Sequence, residues 1–284
     1  MARILIIRFS ALGDVAMTIP VIHSLAVQYP QHEITVLSRA VWQPLFQGLP
    51  ANVGFVGADL TGKHKGLWGL NSLYSELKAM HFDYIADFHH VLRSKYLCLR
   101  FRLANKPVAS ICKGRAGKKK LVRRHDKVME NQKSSFRRYA DVLEKLGLPV
   151  LLNFSSIYGE GKGDFAEIEP VTGPKEDQKW IGIAPFAKHA GKIYPLELQE
   201  QVIAHFAANP KVKVFLFGGG KSEQDVFDAW IAKYPSVVSM IGKLNMRTEL
   251  NLMSHLDVML SMDSADMHSV SYTHLRAHET RHDL

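Results

Sequence analysis

The chain has 284 residues, 46% hydrophobic and 22% charged, an ordinary globular composition that suits two moderate domains or one large one. Two cysteines, Cys98 and Cys112, exclude a disulfide framework and a cysteine-based metal site; they fit a reducing compartment and are expected to pack in the core. No apolar run is long enough to span a bilayer, and Arg8 and Asp14 interrupt the amino-terminal run too early for a signal peptide, so a cytoplasmic protein is expected.

Strands and helices alternate from the start. "RILIIR" reads as a strand, the glycine turn "FSALGD" follows, and "DVAMTIPVIHSLAVQYP" reads as a helix closed by Pro30. "EITVLSR", "DYIADFH" and "PVASIC" read as further strands with helical segments between them, the signature of a parallel sheet covered on both faces. Between Arg93 and Arg138 lie sixteen lysines and arginines against two acids, Asp126 and Glu130, so the net charge of +9 is a patch and the rest of the chain is mildly acidic. Such a patch attracts polyanions: nucleic acid, an anionic membrane face or a phosphorylated glycolipid.

Residues 159 to 178, "GEGKGDFAEIEPVTGPKEDQ", are rich in glycine, proline and charge, and read as a linker. The alternation then restarts. "KWIGIAPF", "KVKVFLFGGG", "SVVSMIG" and "DVMLSMDS" read as strands, separated by the helices "PLELQEQVIAHFAANP", "KSEQDVFDAWIAKYP" and "TELNLMSHL". The expected fold class is therefore α/β, with a first Rossmann-like domain over 1–158, a linker over 159–178 and a second Rossmann-like domain over 179–268. Ligands of such sheets bind outside the carboxyl ends of the strands, which draws attention to the loops there.

Each of those loops has two readings. Asp14 either caps the helix after the first turn or faces a ligand as a catalyst; its charge and the missing G-x-G-x-x-G pattern argue against a nucleotide cradle. Lys188 and Lys192 in "KHAGKIYP" are solvated loop lysines or anion ligands. "FLFGGGKSEQD" contains G-K-S, but Leu216 or Phe215 stands where the first Walker glycine belongs; an NTPase is excluded and Ser222 is expected to cap a helix. In "SMDSADMH" either Asp263 or Ser264 can cap the next helix. In the tail, "HETRH" matches H-E-x-x-H through His278 and His282, but only two residues follow, so no third zinc ligand can come from downstream. No metal site and no cofactor are expected. "VSYTHLRAHET" back-translates to the transposase end and adapter of a sequencing-library kit, so residues 269–284 are read as a non-native tail on a truncated second domain, with weak or no turnover expected of the chain as written.

Taken together, "ILIIRFSALGDVAMTIPVI", "DYIADFHHVLRS", "APFAKHAGKIYP", "FLFGGG" and "MDSADMH" resemble, in order, the glycosyltransferases of family 9, the ADP-heptose:lipopolysaccharide heptosyltransferases. The resemblance implies a GT-B fold, two Rossmann-like domains facing a cleft, and inverting, metal-independent transfer of heptose to a Kdo–lipid A type acceptor at the cytoplasmic leaflet. It implies Asp14 as general base, Lys192 against the donor phosphate with Lys188 as second choice, and Glu223 on a ribose hydroxyl. It further implies a donor site at Asp263, Ser264, Ala265, Met267 and His268, with Asp266 an unwelcome charge beside it. Ser10, Gly13, Arg93, Lys118, Lys119, Lys120, Arg123 and Arg124 would meet the anionic acceptor and the membrane. Two rival readings remain: another nucleotide-sugar transferase of this fold, and a non-enzymatic nucleic-acid binder, which lacks any recognition motif.

Overall fold

In the computed structural model, which describes residues 1–273, the chain forms two compact units, Met1–Phe154 and the residues from Ser155 onward. The first holds a five-stranded parallel sheet in the order β3-β2-β1-β4-β5, where β1 is Arg3–Ile7, β2 Glu33–Arg39, β3 Val53–Ala58, β4 Tyr84–Asp87 and β5 Val108–Ser110. β1 is central; Ile4, Leu5, Ile6 and Ile7 are fully buried, as a strand covered on both faces requires. β3, "VGFVGA", was not expected: its two glycines and half-exposed side chains give it no apolar run.

The single helix expected after β1 is two, α1 (Leu12–Ala16) and α2 (Ile19–Gln28). Pro20 lies at the start of α2, where its missing N–H is not needed, and it cannot extend the ladder of α1. α3 (Gly66–Ala79) and α4 (Leu92–Leu103) pack on the sheet through Leu73, Leu77, Leu97 and Phe101. α5 (Arg115–Leu121) carries the lysine run, and α6 (Ser135–Glu144), capped by the Ser134 hydroxyl on the Arg137 N–H, stacks Tyr139 on Phe88 at 4.7 Å. Cys98 is buried, and burial pushes its thiol up, but Cys112 is exposed, against the expectation that both pack in the core.

The second unit corrects the expected linker. Residues 159–178 include α7 (Glu169–Thr172) and pack on this unit: Ile168 and Thr172 are buried, Phe165 stacks on Trp180, and the Gly163 N–H donates to Ser254 Oγ at 2.8 Å. A Cβ on Gly163 would lie 2.7 Å from the Asn251 Cα, so glycine here serves close approach rather than flexibility. The four-stranded parallel sheet runs β8-β7-β6-β9, with β6 Lys179–Ala184, β7 Val212–Leu216, β8 Val237–Ser239 and β9 Val258–Ser261. Its helices are α8 (Leu196–Ala207), α9 (Lys221–Lys233), α10 (Met246–His255) and α11 (Ala265–Val270). Gly182 in β6 has the same purpose as Gly163, since a Cβ would meet Leu256 and Met259 at 2.5 Å. Residues 269–273, expected outside the fold, continue from α11 into it: Val270, Tyr272 and Thr273 are buried, and the Ile157 N–H donates to the Tyr272 carbonyl at 2.8 Å. The remainder of the expected tail, with His278 and His282, lies outside the described residues.

Candidate active site

Each sheet has one point where strand order reverses, between β1 and β4 in the first unit and between β6 and β9 in the second. Loops diverge there and leave a crevice at the carboxyl ends of the strands. Ser10, Gly13 and Asp14 follow β1 and Arg93 follows β4 at the first of these points, and Lys188 and Lys192 follow β6 and Asp263 to His268 follow β9 at the second; Glu223, after β7, and the cations Lys118 to Arg124, after β5, lie beyond them.

In the first unit Asp14 lies in the opening turn of α1, its side chain 43% exposed. One carboxylate oxygen accepts from the Ala11 N–H at 3.3 Å and from Arg8 Nη2 at 2.6 Å, so the capping and catalytic readings are compatible in one side chain. Arg8 is buried: its Nη1 donates to the Phe88 carbonyl at 2.6 Å, and its guanidinium carbon lies 5.9 Å from the Tyr139 ring centroid. The Tyr139 hydroxyl donates to the Asp14 carbonyl at 3.2 Å; burial pushes the phenol up to about 12 and keeps it a donor. β4 supplies the opposite wall. Asp87 is fully buried and accepts from the His89 and His90 N–H groups and the Ser94 hydroxyl.

His89 Nδ1 accepts from the Phe9 N–H at 3.4 Å, which leaves the proton on Nε2, 3.4 Å from Ser10 Oγ. Burial first, then the charges of Arg8 and Lys113, hold this imidazole down at about 4, so it is neutral. Ser10 therefore receives a hydrogen bond from His89 and directs its own proton elsewhere. Gly13 is part of α1, and its carbonyl accepts from the Met17 N–H. Arg93 is exposed in the first turn of α4. Lys118, Lys119, Lys120, Arg123 and Arg124 are all exposed on α5 and the chain after it. Lys113, half-buried, is the cation of this segment that lies within electrostatic reach of Asp14; burial and then Arg8 lower its pKa.

In the second unit Lys192 closes the short 3-10 turn Ala190–Lys192 after β6, and its Nζ lies 2.7 Å from Asp263 Oδ2, beyond β9. The two were expected on different parts of the donor, yet they pair with each other, both partly exposed. Lys188 is exposed in the same loop. Glu223 accepts from the Gly219 N–H at 2.8 Å, and a Cβ on Gly218 would lie 2.6 Å from that carboxylate. Ser222 does not cap α9; the carboxylate one residue later ties down the glycine turn instead. Ser264 is the N-cap of α11, its Oγ accepting from the Asp266 N–H at 3.2 Å.

The row of open amides expected from Ser264 to Met267 is shorter than its sequence suggested. The Ser264 N–H is spent on the Met262 carbonyl and that of Asp266 on the cap, leaving those of Ala265 and Met267 at a helix start that cannot pair them internally. Asp266 is also less of a problem for a bound anion than its formal charge implies, because burial raises its pKa. Its neighbour Glu249, on α10, is pushed up to about 7 by burial and by Asp266. His268 lies in α11, its carbonyl accepting from the Ser271 hydroxyl.

Sequence reading missed Arg8, His89, Tyr139, Lys113 and Glu249. Arg8 carried a usable signal, a cation directly after four buried apolar residues; Glu249 carried none. Among the described residues no group of three His, Cys, Asp or Glu side chains could hold a metal ion, and no helix is long and apolar enough to cross a membrane.

Comparison with known proteins bears on the fold and the family. The family model of glycosyltransferase family 9 (heptosyltransferase) matches residues 70–271. The chain is 26% identical over 273 residues to the lipopolysaccharide core heptosyltransferase OpsX of Haemophilus influenzae, covering 93% of this chain and 74% of that protein. Among solved structures it is similar to the E. coli heptosyltransferase WaaC with ADP, at a TM-score of 0.70 and 14% identity over 95% of this chain and 84% of that one. It is also similar to a family 9 glycosyltransferase of Veillonella parvula, at a TM-score of 0.74 and 19% identity over 96% and 79%. At such identities the structural likeness speaks for the fold, the two-unit GT-B class, while the family match speaks for the chemistry. The chain belongs to glycosyltransferase family 9, the heptosyltransferases, and is an enzyme of the glycosyltransferase class.

Proposed function

We propose that this enzyme transfers heptose from ADP-heptose to the inner core of lipopolysaccharide, on a Kdo–lipid A type acceptor, with inversion and without a metal ion. The observation that carries the reading is the Arg8–Asp14 pair. A half-exposed carboxylate, held by a buried guanidinium at the switch point of the first unit, is suited to take a proton and unsuited to bind a phosphate. The names of the relatives OpsX and WaaC supply the heptosyl and lipopolysaccharide assignment.

The acceptor hydroxyl oxygen attacks the anomeric carbon of the heptose as its proton passes to Asp14, and the bond from that carbon to the diphosphate oxygen breaks on the opposite side. One displacement inverts the anomeric centre. Negative charge grows on the departing diphosphate, and the Lys192 ammonium stabilises it there, the task a divalent cation performs elsewhere. To do so Lys192 exchanges Asp263 for phosphate, and the released carboxylate turns to sugar hydroxyls. Glu223 serves the ribose, and the Ala265 and Met267 amides, with Ser264 and His268, line the donor. On the first unit Ser10 and Gly13 meet the acceptor. Arg93, Lys118, Lys119, Lys120, Arg123 and Arg124 attract it and the anionic cytoplasmic leaflet, at about 1 kcal/mol for each cation near the surface.

The test is a donor panel read as nucleoside diphosphate release with a core-oligosaccharide acceptor. ADP-heptose alone supports turnover, and Asp14→Asn lowers kcat by about 10²–10⁴ with the donor KM unchanged. Full activity in that variant removes Asp14 from the base role; turnover with a different nucleotide sugar moves the enzyme to another specificity.

A further inference from the structure

We propose that the outer face of the α3–α4 layer is a membrane-docking surface that inserts leucines among the lipids of an anionic bilayer. The proposal deepens the electrostatic membrane contact suggested above and rests on that reading only for its purpose.

The observation is a helix with two apolar faces. α4, "LRSKYLCLRFRL", turns Leu97, Cys98 and Phe101 into the core of the first unit, where all three are buried. At 3.6 residues per turn, Leu92, Leu99 and Leu103 fall within about 40° of one another on the opposite side. They are 86%, 53% and 73% exposed. Single exposed leucines mean nothing, but a stripe of them opposite a fully packed face has no structural use within the unit. The stripe is bordered by Arg93 on one side and by Lys95 and Arg102 on the other, and the helix contains no acid.

The neighbouring helix extends the same surface. α3 opens with Leu67 and Trp68, 70% and 89% exposed, and is locked to α4 where the Tyr74 hydroxyl donates to the Arg100 carbonyl and the Arg100 guanidinium covers the Tyr74 ring at 4.4 Å. Beside α4, Lys95, Lys113 and Arg115 line a hollow of about 460 Å³. Leucines to enter the acyl boundary, a tryptophan at headgroup depth, and long cations that reach up to phosphates make up an interfacial surface. A protein partner of matching acidity would leave the tryptophan and the paired cationic borders without a common reason. α3 follows β3 and α4 follows β4, so Trp68 and Leu92 sit at the sheet edge that carries Asp14. A lipid-linked acceptor gripped at this edge has only a short way to go to the base.

Insertion and charge attraction respond differently to salt, which makes the proposal testable without any sugar substrate. The full chain is sedimented with vesicles of phosphatidylglycerol and phosphatidylcholine, and with phosphatidylcholine alone. Wild type binds the anionic vesicles, and a measurable part of that binding survives about 0.5 M salt, where exposed charges are screened over about 4 Å. The triple variant L92Q/L99Q/L103Q loses at least about tenfold in vesicle affinity, because buried apolar area sets interfacial binding. It keeps its melting temperature and its turnover on a water-soluble core fragment. K118A/K119A/K120A weakens binding at low salt only. Wild-type binding that vanishes completely in salt, or a triple variant that binds as wild type, overturns the proposal. So does self-association of the chain that the triple variant abolishes while no vesicle binding is seen. Failure of heptosyl transfer leaves the vesicle result standing and overturns only the proposed reaction.

Discussion

The two switch points solve one topological problem with opposite degrees of burial. In the first unit the cation is inside: Arg8 is 8% exposed along its side chain and is held by the Phe88 carbonyl and the Tyr139 ring as well as by Asp14. In the second the corresponding ion pair, Lys192 with Asp263, is 41% and 31% exposed. A buried cation whose other contacts are fixed cannot change partner without stranding a charge, which costs several kcal/mol. An exposed pair contributes about 0–1 kcal/mol and can be exchanged for a better anion. The first arrangement suits a base that must stay in one orientation, and the second suits a cation that must meet a ligand as it arrives.

Of the two cations, the exchangeable one is therefore expected to show the larger effect when removed. Lys192→Met lowers kcat/KM by about 10²–10³, the range for losing one group that stabilises transition-state charge. Asp263→Asn sharpens the comparison: if Asp263 only occupies the lysine at rest, the donor binds more tightly, and if it also grips sugar hydroxyls, binding weakens. Titration calorimetry with ADP and with ADP-heptose separates the two, since ADP lacks the sugar. Next comes Arg8. Arg8→Met frees the Asp14 carboxylate to rotate, and a displaced base costs about 10²-fold in kcat. Arg8→Lys restores the charge but not the fork that spans Phe88 and Asp14, so recovery is partial. An Arg8→Met enzyme with full kcat and an ordinary melt would show that the pairing of the buried Arg8 with Asp14 is structural only.

The contrast in burial was not visible in the chain. β1, β2 and β6 were legible because central parallel strands carry a dense run of apolar residues, and Asp14 stood out because an acid in a glycine turn contradicts a phosphate cradle, although the residues alone left cap and catalyst open. β3 was hidden by glycines, and the 159–178 segment by a composition that looks like a linker until Gly163 is seen against Asn251. Arg8 and Asp14 are six residues apart and read as unrelated, because their pairing depends on a turn that reverses the chain between strand and helix. Lys192 and Asp263 were both singled out, yet their contact spans 71 positions and exists only because β9 crosses over to lie beside β6. Local pattern reveals which residues reach a strand end; strand order decides which of them meet.

Burial also predicts opposite responses to pH in the two units, because it disfavours the cationic form of a histidine in one and the anionic form of a glutamate in the other. His89 is held at about 4 by burial and by Arg8 and Lys113, whereas in the unfolded chain it takes up a proton near 6.5. As pH falls through that interval the unfolded state binds more protons, and the first unit loses up to about 3 kcal/mol. Glu249 runs the other way. Burial and Asp266 push it to about 7, against an unfolded value near 4.5, so the second unit is stabilised below 4.5 and loses up to about 3 kcal/mol as pH rises to 7. Amide exchange read separately on β1 and β6, corrected for intrinsic rates, reports the two slopes. His89→Gln flattens the first and Glu249→Gln the second. Parallel slopes in the wild type would remove the contrast.

The smallest effect tests whether the second unit tolerates adjustment at its ligand edge. Ser264 holds the start of α11 through one bond to the Asp266 N–H, and losing an N-cap costs about 1 kcal/mol. Ser264→Ala accordingly lowers the stability of this unit by about that amount and raises the donor KM, because the turn bearing Asp263 is less well held. Ser264→Asn keeps an oxygen for the same N–H and restores both quantities. Ser264→Asp keeps the cap but adds a carboxylate beside the phosphate site, so stability returns while the donor KM stays high. If Asn and Asp restore the donor KM alike, the diphosphate does not lie against this helix start, and Lys192 must hold it from the β6 side alone.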